Sequence, residues 1–236
     1  MRDGLAILVI ISGMIASVLT GKLTIQASIA GGIVAGLIFG GAGFTGIAML
    51  AAFFASASIA TAVKLNQKEI AGLAEPGRGQ RNTYQVFANG GVTAILCGMV
   101  LILPRHSTAL NLMAAASLSS AAADTISSEF GNAFGSKFIN VLSWKQDQKG
   151  LDGVVSLEGT LAGLAASILI ALIYGLGFGF THFTVYIVIA GTTGNFFDSL
   201  LGATLERKRV LTNDLVNLLN TLCGAMMALL LLLIFG

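Results

Sequence analysis

Apolar runs long enough to cross a lipid bilayer follow one another along almost the whole chain. A spanning helix needs about 20 mostly apolar residues. Eight runs approach that length: 5–19, 25–40, 44–63, 84–103, 107–125, 157–178, 183–201 and 215–235. What separates them is short and polar. Only 10% of the residues are charged, where a soluble domain carries about 25%, and mean hydropathy is +0.86. Such a chain cannot cover a water-facing surface, which excludes a soluble enzyme, a nucleic-acid-binding domain and a disordered protein. The net charge of +2 is too small to imply a polyanionic partner.

The first two runs are short and separated by a tight turn. Gly32, Gly36 and Gly40 recur every four residues, a face that permits close helix contact. The fifth run is mostly Ala and Ser; it would gain little against lipid and belongs inside the bundle. Basic residues set orientation, because Lys and Arg concentrate on the cytosolic side of a membrane. Eight spans place Lys22, the bases of 64–81, those of 137–149 and Arg207–Arg209 on one side, leaving Arg2 and Arg105 on the other. The expected architecture is an all-α polytopic integral membrane protein. About eight transmembrane helices form a single bundle, and residues 1–236 make one transmembrane domain. Both termini are non-cytosolic, and the cytosolic loops are about 64–83, 126–156 and 202–214. The host would be a cell (inner) membrane, with function at its cytosolic face.

A carboxylate deep in a span costs about 2.5–3.5 kcal/mol on insertion scales, so it needs a partner and usually a task. Glu69 and Glu75 read as ordinary loop charges. Three other segments do not. In Ala123-Asp124-Thr125-Ile126-Ser127-Ser128-Glu129-Phe130-Gly131, Asp124 and Ser128 share a helical face. Asp124 and Glu129 lie about 140° apart and converge only if the helix unwinds near Ser127. Two carboxylates with hydroxyls between them suit magnesium; the plainer alternative is a helix end whose Glu pairs with a nearby Lys. In 149–160, Lys149, Gly150, Asp152, Gly153, Ser156 and Glu158 serve equally for phosphate binding at a helix start or for capping it. In 194–206, Asn195, Asp198 and Gly202 share a face that Glu206 continues. Gln85 and Asn89 sit four apart after Arg81, and Asn213, Asn217 and Asn220 line one face of the last span. Together these describe a polar, metal-capable pocket opening to the cytosol. No G-x-x-x-x-G-K-[ST] loop is present, so any nucleotide site is built from membrane-helix ends.

The motifs Arg81…Gln85-Val86…Ala88-Asn89-Gly90-Gly91, Ala123-Asp124-Thr125…Ser128-Glu129, Asp152-Gly153…Ser156…Gly159-Thr160 and Gly194-Asn195…Asp198-Ser199-Leu200-Leu201-Gly202-Ala203-Thr204 resemble, in order, the domain-of-unknown-function 92 family. That family includes transmembrane protein 19 and phytyl-phosphate kinase. Ile126 stands where a Trp is common, and Leu151 where a Thr often precedes Asp-Gly. The resemblance implies phosphorylation of an isoprenoid monophosphate of phytyl, geranylgeranyl or farnesyl type to its diphosphate. The phosphoryl donor is a nucleoside triphosphate; CTP, used with a divalent metal by the related phytol and dolichol kinases, is favoured. On this reading Asp124, Glu129 and Asp198 hold Mg2+ and act in catalysis with Arg81. Arg81, Lys137 and Lys149 neutralise phosphates, while Asn89, Ser128, Asp152, Ser156, Asn195, Ser199, Asn217 and Asn220 bind and orient substrates. The partners are the isoprenoid monophosphate, the nucleotide and the bilayer. The alternatives are a CTP-dependent lipid nucleotidyltransferase and a membrane transporter.

Overall fold

The computed structural model describes residues 2–74 and 76–236; Met1 and the loop charge Glu75 lie outside the described residues. Among the described residues, five helices are long and apolar enough to cross a membrane: α1 (Arg2–Leu19), α2 (Ile25–Ala62), α4 (Thr83–Ile102), α6 (Leu157–Phe178) and α8 (Asn213–Phe235). A six-residue α3 (Leu65–Ile70), α5 (Ser107–Phe134) and α7 (His182–Leu201) complete the helices. Two of the eight expected spans, the fifth and seventh, thus fall on helices outside that apolar set. For α5 the reason is its position. It packs against α2, α4, α6, α7 and α8, and every residue from 110 to 123 is buried. A helix enclosed by other helices needs small side chains for close approach, not lipid-facing bulk.

α2 unites the second and third expected spans. Its 38 residues would reach about 57 Å if straight. Its start and its second half nevertheless both meet Arg81. The Thr24 N–H, just before α2, donates to the Arg81 carbonyl at 3.1 Å, and the Arg81 guanidinium lies 5.8 and 5.9 Å from the Phe53 and Phe54 rings. The chain therefore reverses within α2, and the break is at Gly43, whose φ of 62° and ψ of −150° are open only to glycine. Phe39 and Phe44 close the corner edge to face, with centroids 5.2 Å apart. The two arms of α2 make eight passes along the bundle from seven long helices.

The bundle has two unlike ends. At one, Arg2 lies over Phe39 near the Gly43 corner, with Arg105 on the short turn between α4 and α5. Arg2 at the start of α1 and Phe235 at the end of α8 lie at this end. The opposite, Arg81 end carries the remaining eleven Lys and Arg residues.

The connections at the Arg81 end hold more structure than the sequence indicates. α5 does not unwind near Ser127; it continues to Phe134, so the loop expected from 126 begins at Gly135. Within that loop β1 (Phe138–Asn140) and β2 (Val154–Ser156) pair antiparallel, with Phe138 opposite Ser156. Arg207 fastens this hairpin to the end of α7: its Nε donates to the Asp152 carbonyl at 2.6 Å and a terminal nitrogen donates to Asp147 at 2.9 Å. Gly153, with φ of 73°, lies so close to Ala203 that a Cβ would overlap the Ala203 backbone. α7 leaves its regular course in a π turn over Gly202–Glu206.

Candidate functional site

The ends of α4, α5, α7 and α8 and the β hairpin enclose a polar cavity of about 220 Å³ at the Arg81 end. At its base the carboxylates of Asp124 (α5) and Asp198 (α7) come together, and the Asn220 side chain (α8) lies beside Asp198 with its amide nitrogen buried and without a hydrogen-bond partner. Asn220 is wholly buried and accepts from the Ser120 hydroxyl, so α5 and α8 are tied at this depth. Asp198 Oδ1 is buried and has no hydrogen-bond partner. Such an atom normally forfeits about 1–3 kcal/mol, which a ligand can recover.

Around this pair stand Gln85 and Asn89 from the first turns of α4 and Arg81 just before it. The Asn89 amide donates to the Gln85 carbonyl at 3.0 Å, leaving its Oδ1 buried without a partner. Asn195 and Ser199 come from α7, and Asn213 and Asn217 from α8, where the Asn217 amide donates to Asn213 Oδ1 at 3.3 Å. The rim holds Asp152 and Glu206. Burial raises the pKa of Asp152, partly offset by the Arg207 charge. Glu206 is raised by burial and then by repulsion from Asp152, against a hydrogen bond from Asn213. The π turn is what brings Glu206 back to the cavity; such turns recur at functional sites.

Four carboxylates and one guanidinium line the cavity, an imbalance that favours a cation. Among the described residues, no three His, Cys, Asp or Glu side chains cluster closely enough to hold a metal by themselves. Magnesium does not require that. It is commonly held by one or two carboxylates, with water and substrate phosphates as its other ligands. The Asp124–Asp198 pair with its unpartnered oxygen fits such an ion.

Ten of the residues singled out from the sequence line this cavity: Arg81, Asn89, Asp124, Ser128, Asp152, Ser156, Asn195, Asp198, Ser199 and Asn217. Asn220 stands behind it, beside Asp198. Three others are elsewhere. Glu129 does not join the carboxylate pair: because α5 stays helical, its side chain turns away and meets the buried Lys68 at 2.5 Å. Lys68 Nζ also donates to the Ala60 and Thr61 carbonyls at 3.2 and 2.8 Å, capping the end of α2. The plainer alternative, a Glu paired with a Lys, is therefore what the structure contains. Lys137 is exposed, and Lys149 is exposed over the Phe138 ring, 5.5 Å from its centroid. Ser156 lines the cavity while its hydroxyl accepts the Gly159 N–H at 3.1 Å, so it caps α6. Gln85, Glu206 and Asn213, which the sequence places in the pocket without a role, line the cavity too, and so do Thr125 and Asn132, which it does not place there. For Gln85 the signal was its four-residue spacing from Asn89; for Asn132 there was none.

The family described as "Integral membrane protein DUF92" matches residues 7–225. The chain belongs to this family. It is accordingly an integral membrane protein. An uncharacterised membrane protein of Synechocystis is 34% identical over 197 residues, covering 81% of this chain and 76% of the relative. The chloroplastic protein VTE6 of Arabidopsis thaliana is 34% identical over 226 residues, 93% of this chain and 64% of the relative. An uncharacterised membrane protein of Methanocaldococcus jannaschii is 32% identical over 188 residues, 80% of this chain and 76% of the relative. No solved structure matches the chain.

Proposed function

We propose that this protein is a membrane-embedded prenyl-phosphate kinase. It transfers the γ-phosphoryl group of a nucleoside triphosphate, CTP being favoured, to an isoprenoid monophosphate, giving the prenyl diphosphate and a nucleoside diphosphate. The observation that carries this reading is the Asp124–Asp198 pair, with its unpartnered buried oxygen, in the same cavity as Arg81. The likeness of the motifs to those of phytyl-phosphate kinase supplies the substrate class. The positive charge of the Arg81 end supports a cytosolic site, where nucleotides are found.

Phosphoryl transfer requires positioning and charge neutralisation more than covalent chemistry. An oxygen of the acceptor phosphate attacks the γ-phosphorus. The new P–O bond forms as the bond to the β,γ-bridging oxygen breaks, and its electron pair leaves with the nucleoside diphosphate. The acceptor is already ionised at neutral pH, so no strong general base is needed. Arg81 offsets the charge of the two approaching phosphates. The amides of Asn89, Asn195 and Asn217 and the hydroxyls of Ser128 and Ser199 orient phosphate oxygens. Asp124 and Asp198 hold Mg2+, which when bound neutralises charge on the transferring group. Asp152 and Glu206 at the rim orient the nucleotide.

The test is purified protein with radiolabelled CTP or ATP and prenyl monophosphates, comparing wild type with Asp124→Asn and Asp198→Asn. Each substitution should lower kcat/KM by about 100-fold or more with the helix content unchanged, an effect of several kcal/mol on the transition state. Full activity in both variants would remove the metal assignment. Release of pyrophosphate in place of a nucleoside diphosphate would make the protein a nucleotidyltransferase.

A further inference from the structure

A second cavity, of about 240 Å³, lies between α1, the two arms of α2 and α4. Its walls are apolar, formed by residues such as Ile10, Val34, Leu50, Phe53 and Phe54. Arg81, Gln85 and Asn89 line it as well, and the same three residues line the polar cavity. One face of α4 is therefore a shared wall. The apolar cavity also opens sideways, because Val9, Gly13 and Ala51 line it and belong to the exposed flank of the bundle. Its space comes from missing side chains. A Cβ at Gly13 would meet no other atom within 4 Å. Gly32 is overlain by Met14, whose flexible thioether makes an adaptable wall.

We propose that this cavity holds the hydrocarbon chain of a single-chain lipid monophosphate that enters from the bilayer and presents its phosphate at Arg81. The ligand class rests on the kinase reading above; the location and the residues that set chain length are new to it. An apolar chamber ending at a guanidinium and two amides matches an amphiphile with one charged end. A nucleotide base in the same chamber would leave its donors and acceptors unsatisfied among Val, Leu and Phe. The volume falls below the roughly 300–1,000 Å³ of drug-sized ligand sites, which favours one chain over two. Moving a chain from bilayer to cavity changes its surroundings little, so the chamber contributes geometry more than affinity. It allows the phosphate to meet a polar site while the chain stays in an apolar one.

Gly13 is the residue for the test, since a side chain there enters open space and leaves the packing of α1 unchanged. Gly13→Leu should raise KM for a twenty-carbon prenyl monophosphate at least tenfold and leave a five-carbon one within twofold of wild type. A twenty-carbon monophosphate carrying a photoreactive diazirine on its chain should label α1 and α2 in the wild type and lose that labelling in Gly13→Leu. Labelling confined to α6, α7 or α8 would overturn the proposal. So would an unchanged chain-length profile in both Gly13→Leu and Ala51→Phe, even with phosphoryl transfer intact. Labelling of α1 and α2 without phosphoryl transfer by the wild type would uphold the chain site and overturn the kinase reading.

Discussion

Lys68→Met isolates the structural role of Glu129. The pair lies 2.5 Å apart with side chains 2% and 6% exposed, and the other Glu129 oxygen, Oε1, already has no partner. Met preserves most of the packing of the lysine stem and removes three hydrogen bonds, one to Glu129 and two to the last carbonyls of α2. Breaking one side of a buried ion pair costs about 3–5 kcal/mol, chiefly because the remaining charge is stranded. Lys68→Met with Glu129→Leu strands no charge. Only the Ala60 and Thr61 carbonyls lose a donor, about 1–2 kcal/mol in total. The double variant should thus be more stable than Lys68→Met alone by about 2 kcal/mol. The assay is reversible unfolding in mixed micelles, read by circular dichroism, for both singles and the double. A cost below about 1 kcal/mol for Lys68→Met, or a double variant equal to the sum of the singles, would refute the buried-pair account. Full stability with abolished phosphoryl transfer in Glu129→Gln would return Glu129 to the site.

Three further outcomes follow from the same geometry. Asp152 and Glu206 have raised pKa values, so the folded chain binds their protons more readily than the unfolded chain. Their stabilising contribution is full below the ordinary values of 3.8 and 4.5 and is lost as pH rises through the higher folded values. Amide exchange across 147–156 should accordingly quicken as pH is raised, beyond the intrinsic pH dependence, and Glu206→Gln should reduce that excess. Gly153→Ala forces an unfavourable positive φ and a collision with Ala203, costing about 1–2 kcal/mol or more, and should expose the hairpin to limited proteolysis. Asn220→Leu removes the buried amide oxygen that accepts from the Ser120 hydroxyl and should cost about 1–3 kcal/mol in the same unfolding assay.

The parts of the site that were legible in the sequence are those fixed within a single helix. Once 84–103 is helical, Gln85 and Asn89 must share a face; the same holds for Asn195 with Asp198 and for Asn213 with Asn217. The paired arms of α2 were also legible, because two apolar runs with a glycine-rich break cannot continue straight through one bilayer. Relations between elements were not. Whether Glu129 joins Asp124 depends on whether α5 stays helical past Ser127, where Gly131 lies beside Ser156 and Gly159 of a distant segment. Lys68 is placed by the end of α2 and by α5, while its own six-residue helix carries no periodicity to reveal it. Lys137 and Lys149 were drawn toward the site by proximity in sequence. The register of the hairpin instead carries them outward, with Lys149 over Phe138.

The transport alternative is met by the way α5 uses its hydroxyls. The sequence places polar groups at one end of the spans, yet Asn111, Ser117, Ser119 and Ser120 are buried along α5, with Thr93 and Ser167 facing it from α4 and α6. A chain of hydroxyls through a bundle can conduct only if it is wide enough for water and reaches both ends. Here the hydroxyls occupy helix seams. Ser119 donates to the Ile187 carbonyl at 3.3 Å and Thr93 to the Ala114 carbonyl at 3.4 Å. The Ser119 and Ser167 hydroxyls press against Gly191, and that of Ser120 against Gly194. No Asp, Glu, Lys or Arg occurs in 107–123 of α5 or 183–197 of α7 beyond the Asp124–Asp198 pair. A potential of 100 mV supplies about 2.3 kcal/mol per charge, while a charge at mid-bilayer costs at least about 2.5–3.5 kcal/mol without a partner. Proteoliposomes holding the full chain should therefore show no proton or cation flux above protein-free vesicles under a potassium diffusion potential. A flux that Asp124→Asn abolishes would show that the seams open and that the carboxylate pair serves a transport route.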